Sequence, residues 1–207
     1  MTSSPLRLAL LGDSIAYGSG AARATDTLGP RLAAELAAAG YDVDLHVLAV
    51  PGAVSRDLAA QVRRAVPLAA DLAVVVVGAN DLARLVPPAQ AATALGEAVT
   101  GLRAAGIDVV VVPAPDMSAV PFVPPALRPA VQAASVQLQR SQAALARAAG
   151  AVVAEVSEAV GTAFGTDPAL FSGDRFHPSS AGYALIAQSL TPHVVAAAHA
   201  RRDGAAA

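Results

Sequence analysis

The chain has 207 residues and a formal net charge of −2, a length that suits one domain with a substantial core of its own. A pI near 6.0 gives it no basic field for a nucleic acid or an anionic membrane surface. It contains no Cys, which excludes disulfides, thiolate metal sites and a cysteine nucleophile, and its 55% apolar share is built from Ala, Val and Leu rather than aromatics.

The N-terminal apolar run is interrupted by Arg7 and ends at Gly12, too short for a signal-peptide core and with no small-residue cleavage site after it. No stretch approaches the roughly 18 apolar residues of a membrane span. The expected location is therefore cytoplasmic. The first predicted strand is Leu6–Leu11, followed by Gly12-Asp13-Ser14-Ile15-Ala16-Tyr17-Gly18. An Ala-rich segment with helical periodicity runs from Thr27 to Ala39 and is stopped by Gly40, as expected of a glycine just past a helix end. The second strand, Val43–Val50, leads into Pro51-Gly52-Ala53, and another helix follows Ser55. The third strand, Leu72–Val77, leads into Gly78-Ala79-Asn80-Asp81, then a helix over Pro88–Ala105 stopped by Gly106. Ile107–Val112 is the fourth strand; a proline-rich stretch, 113–129, overlaps the start of a long helix over Ala126–Ala149, stopped by Gly150. Ala151–Ala154 is the fifth strand, and a short helical stretch leads on to Asp174-Arg175-Phe176-His177-Pro178 and a last helix. The expected organisation is a single domain over residues 1–200, with a disordered tail from Arg201 onward.

Val-rich strands alternating with helices predict an α/β fold with a parallel sheet covered on both faces. Such sheets bind ligands beyond the carboxyl ends of their strands. The polar segments of this chain fall there. Ser14 stands just past the first strand, with its hydroxyl at the rim and unpaired backbone N–H groups nearby. A serine hydroxyl needs a base, and an imidazole, ordinarily titrating near 6.5, suits neutral pH. A carboxylate three residues earlier, Asp174, can fold back to fix the His177 tautomer. Pro178 holds His177 in extended backbone ahead of the last helix. Asn80 can donate N–H groups to an oxyanion where ionised Asp81 cannot, and Gly52 and Ser14 can add backbone N–H donors. Each segment alone reads better as ordinary turn or surface-loop chemistry. Together they meet every requirement of acyl transfer.

These segments resemble the signature blocks of the SGNH hydrolases, also called the GDSL esterase/lipase family. The first block is similar to Gly12-Asp13-Ser14, the glycine block to Gly52, the G-x-N-D block to Gly78-Ala79-Asn80-Asp81, and the D-x-x-H block to Asp174 through His177. Ile15 replaces the leucine of the family's short name. The resemblance implies a three-layer α/β/α, flavodoxin-like fold with a five-stranded parallel sheet, no metal and no cofactor. It also implies catalysis by Ser14, Asp174 and His177 with an oxyanion hole of Ser14, Gly52 and Asn80. The expected reaction is hydrolysis of small-molecule acyl esters with short or medium chains. An acyltransferase passing the acyl group to a sugar or alcohol is the alternative, and a non-catalytic phosphate-binding module ranks third, since the first loop lacks a P-loop lysine. Tyr17 and Arg175 are candidates for lining the mouth of the site, while the proline-rich segment 113–129, with Met117, Phe122 and Val123, reads equally as one wall of an acyl pocket or as a stiff surface crossover. Asp13 is expected to order the nucleophile turn. His46 is read as a core-edge or surface residue, and His193 and His199 are assigned no role.

Overall fold

The computed structural model describes residues 4–206. In chain order, β1 (Leu6–Gly12) is followed by α1 (Ser14–Tyr17) and α2 (Leu28–Ala38), β2 (Val43–Val47) by α3 (Leu58–Ala65), and β3 (Leu72–Val76) by α4 (Ala79–Ala83) and α5 (Pro88–Ala104). Then come β4 (Asp108–Val112), α6 (Arg128–Ala148), β5 (Val152–Val153), α7 (Glu158–Thr166) and α8 (Ser180–Ala206). All strands are parallel, in the order β2-β1-β3-β4-β5. That order is the flavodoxin-like one, and its reversal falls between β1 and β3.

The strands are apolar on both faces because helices cover both. Side chains alternate along a strand, so Leu8 and Leu10 of β1 join Val74, Val76, Val110 and Val112 on one face, against Leu32 and Leu36 of α2 and Tyr183 and Leu190 of α8. Ala9 and Leu11 join Val75, Val109 and Val111 on the other, against Leu58 of α3, Leu95 and Leu102 of α5, and Ala146 of α6.

The tail expected to be disordered from Arg201 departs from that expectation over its described part: α8 continues through it to Ala206, while Ala207 lies outside the described residues. The reason is an anchor that local composition does not reveal. Arg201 donates to Asp71 at 2.9 Å, to Asp108 at 3.1 Å and to the Gly106 carbonyl at 2.9 Å, tying the helix to the starting edge of the sheet. Among the described residues no helix is long and apolar enough to cross a membrane.

Candidate active site

The site is assembled at the carboxyl ends of β1, β2 and β3 and on the loop before α8. β1 ends at Gly12 with φ of 135°, where an added Cβ would fall 1.7 Å from the Val76 carbonyl oxygen. No other residue fits there. Buried Gln61 of α3 donates to the Gly12 carbonyl at 2.8 Å and accepts from its N–H at 2.7 Å, fixing the turn from behind. Asp13 caps α1 by accepting from the Ile15 N–H at 2.9 Å, which bears on the expectation that it orders this turn. Ser14 follows as the first residue of α1, only 4% exposed.

His177 reaches Ser14 from the opposite side. Its Nε2 lies 2.9 Å from Ser14 Oγ, and its Nδ1 lies 2.6 Å from Asp174 Oδ2. A carboxylate only accepts, so Nδ1 carries the ring proton and Nε2 is free to accept from the serine hydroxyl. The loop holding this pair is closed on itself: Ser172 N–H donates to the His177 carbonyl at 2.8 Å, and Arg175 N–H to the Ser172 carbonyl at 2.9 Å. Arg175 takes up a left-handed φ of 58° at the turn. Phe176 packs edge-on to the imidazole with centroids 4.9 Å apart.

Partial burial pushes the Asp174 carboxyl up, but hydrogen bonds from His177, Ser172 and the backbone of His177 and Phe176 outweigh it. The group sits well below the usual carboxylate range. Asp13 goes the other way. Burial raises it to about 6, with the Ile15 and Gly78 N–H groups and His177 only partly opposing, and its Oδ2 has no hydrogen-bond partner among the described residues. Burial also raises Tyr183, helped by the charges of Asp13 and Asp174; its hydroxyl donates to the Ser19 carbonyl at 2.8 Å and braces the serine loop against α8.

The donors proposed for an oxyanion come from the neighbouring loops. Asn80, in α4, donates one Nδ2 hydrogen to the Ala53 carbonyl at 3.0 Å, which fixes the amide's orientation and leaves its second hydrogen. Gly52 has φ of 81°, and its carbonyl accepts from Arg84 at 2.9 Å. Asp81 accepts from the Ser55 N–H and from Ser55 Oγ, both at 3.0 Å, clamping the loop after β3 to the one after β2. Gln61, Ser55, Arg84 and Ser172 were not singled out from sequence. They are ordinary polar residues that no spacing marks, and only the hydrogen bonds they make in the fold set them apart.

A cavity of about 900 Å³ opens beside this cluster, with Ile15, Met117, Phe171, Phe176 and His177 in its wall. Of the four residues suggested for substrate contact, Met117 lines it. Tyr17, Phe122 and Arg175 do not; Tyr17 and Phe122 are exposed on the surface, Phe122 stacked on Phe176 with centroids 5.7 Å apart. His46 is half-buried and pairs with Asp44, while His199 meets the Tyr41 hydroxyl. Among the described residues no group of three or more His, Cys, Asp or Glu side chains could hold a metal ion.

The family model for the GDSL-like lipase/acylhydrolase family matches residues 10–185 of the chain. A GDSL-like esterase of Mycobacterium tuberculosis is 36% identical over 189 residues, 89% of this chain and 60% of that protein. The chain thus spans about 60% of the length of the curated relative it matches. Among solved structures, TesA superposes with a TM-score of 0.73 at 23% identity, covering 92% of this chain and 99% of its own. Axe2, an acetylxylan esterase from Geobacillus stearothermophilus, does so with a TM-score of 0.73 at 19% identity, covering 93% and 95%. At those identities the two share the fold with this chain.

Proposed function

Because the chain belongs to the GDSL-like lipase/acylhydrolase family, we propose that it hydrolyses carboxylic esters of short or medium acyl chain through an acyl-enzyme on Ser14. The observation that carries this reading is the unbroken hydrogen-bond chain from Asp174 through His177 to Ser14, at 2.6 and 2.9 Å. A GDSL-like esterase as a relative at 36% identity supports the same chemistry.

In this mechanism His177 Nε2 takes the Ser14 proton as Oγ attacks the ester carbonyl carbon. The negative charge that develops on the carbonyl oxygen meets the Ser14 and Gly52 N–H groups and the free Nδ2 hydrogen of Asn80, all fixed before the reaction begins. Asp174, held ionised, stabilises the imidazolium, which then gives its proton to the departing alcohol. Water enters, His177 removes its proton, and attack on the acyl-enzyme releases the acid and restores the serine. A sugar or alcohol in place of that water would make the enzyme a transferase by the same steps.

The test is hydrolysis of p-nitrophenyl acetate and its longer homologues by wild type, Ser14→Ala and His177→Ala. Turnover that collapses in both variants is expected. Full activity in Ser14→Ala would overturn the reading, and added alcohols that divert the acyl group from water would favour transfer.

A further inference from the structure

The cavity beside His177 has a shape that the ester chemistry alone does not require. β5 is two residues long and pairs only with Val110 and Val111, so Val112 at the end of β4, paired with Val76 of β3 on one side, has no strand on its β5 side. α6 and α7 flank the gap without filling it. One face of α6 borders the cavity from Arg128 to Arg147, a run of about 28 Å at 1.5 Å per residue. Ile15, Met117, Val120, Phe171 and Phe176 give the wall an apolar stretch, bordered by Asp116, Ser118 and Arg128; toward the C-terminal end of α6 come Arg140, Arg147 and Glu155, the last two joined at 2.8 Å.

α7 borders this space with two exposed glycines. Gly161 and Gly165 lie four residues apart on one face of a nine-residue helix, and both border the cavity. An added Cβ at either would meet nothing within 4 Å. Neither glycine is required by backbone conformation, since neither has a positive φ, and glycine is a poor choice for a helix interior.

We propose that this cavity is an acyl-chain site, and that it directs the enzyme toward medium-chain esters in preference to acetyl esters. The inference rests on the ester-hydrolase reading and narrows it. Volume decides against acetyl as the preferred group, because about 900 Å³ is near the upper end of ordinary ligand pockets and an acetyl group would leave nearly all of it vacant. The charged far wall decides against very long chains. A methyl terminus that reached Arg140 and the Arg147–Glu155 pair would displace their hydration without replacing it.

The experiment compares kcat/KM for p-nitrophenyl acetate, decanoate and palmitate in wild type, Val136→Trp and Gly161→Phe, both at cavity-lining positions. Each buried methylene contributes roughly fourfold, so decanoate should exceed acetate by about a hundredfold even with incomplete burial, and palmitate should fall below decanoate. Both variants should lower the decanoate-to-acetate ratio at least tenfold; the ratio is internal to each protein, so partial misfolding does not alter it. A wild type that cleaves acetate fastest, or ratios unmoved by both variants, would overturn the proposal while leaving ester hydrolysis intact. A loss seen with decyl acetate instead of decanoyl esters would overturn it too, by placing the alcohol in the cavity. Calorimetric titration with decanoate reads the cavity without chemistry: binding by wild type that Gly161→Phe abolishes supports the site even if no ester is cleaved, and absence of binding refutes it.

Discussion

Replacing Asp174 by Asn separates the electronic from the structural work of that carboxylate. Oδ1 accepts three hydrogen bonds, from Ser172 Oγ at 2.7 Å and from the Phe176 and His177 N–H groups at 2.9 Å, while Oδ2 accepts from His177 Nδ1 at 2.6 Å. The oxygen of an Asn amide can keep the first three, so the loop should hold its shape. Its NH2 group then occupies the Oδ2 position and meets Nδ1 as a donor. Nδ1 must accept, the ring proton moves to Nε2, and Nε2 faces Ser14 unable to take a proton. In serine proteases a tautomer reversal of this kind costs about 10⁴-fold. Here the Asp174 side chain is 47% exposed, and solvent screens part of the interaction. The expected loss in kcat for p-nitrophenyl acetate is therefore about 10³-fold, with Tm within about 2 °C of wild type. Asp174→Ala, which forfeits all four bonds, should lose activity and Tm together. An Asp174→Asn protein of unchanged fold that keeps more than about a tenth of wild-type kcat would refute the tautomer argument.

Asn80→Ala should lower kcat about a hundred- to a thousandfold, by steady-state kinetics, and near-normal turnover would remove Asn80 from the oxyanion hole. Gln61→Leu leaves the Gly12 N–H without its partner, while the Gly12 carbonyl still receives the Val50 N–H at 3.1 Å. A loss of about 2 kcal/mol in urea unfolding is expected, and less than about 0.5 kcal/mol would contradict the pinning role. Burial raises Asp13 to about 6 in the folded chain. A raised carboxyl contributes stability fully below its unfolded value and loses it as pH rises through about 6. Asp13→Asn cannot titrate, so its stability relative to wild type should climb by about 3 kcal/mol between pH 3 and pH 8, and a difference flat with pH would contradict this.

The architecture was legible because its signals are local. Val-rich runs ended by Gly or Pro marked the strands, and glycines at 40, 106 and 150 closed three helices within a residue or two of their observed ends. The strand order follows from family resemblance rather than from periodicity. Boundaries slipped where pairing decides them: Val43–Val50 was expected as strand, but β2 ends at Val47, after which Leu48 and Ala49 both donate to the Leu10 carbonyl and leave the ladder. The continuation of α8 through Arg201 carries no local mark, because the partners of Arg201, Asp71 and Asp108, are each more than ninety residues away in sequence. At the site, Ser14, Asp174, His177, Gly52 and Asn80 stood out because their types suit one reaction at the ends of several strands. The residues that hold them carry no such mark. Gln61 and Ser55 are polar side chains whose burial is decided entirely by tertiary packing.

The central claim is that Ser14 is the nucleophile and His177 its base, and a fluorophosphonate probe tests it most directly. Intact-mass and peptide mass spectrometry after labelling should find a single adduct on the peptide containing Ser14, absent in Ser14→Ala and formed far more slowly in His177→Ala. Labelling at another serine, or labelling of Ser14→Ala at the wild-type rate, would contradict the account.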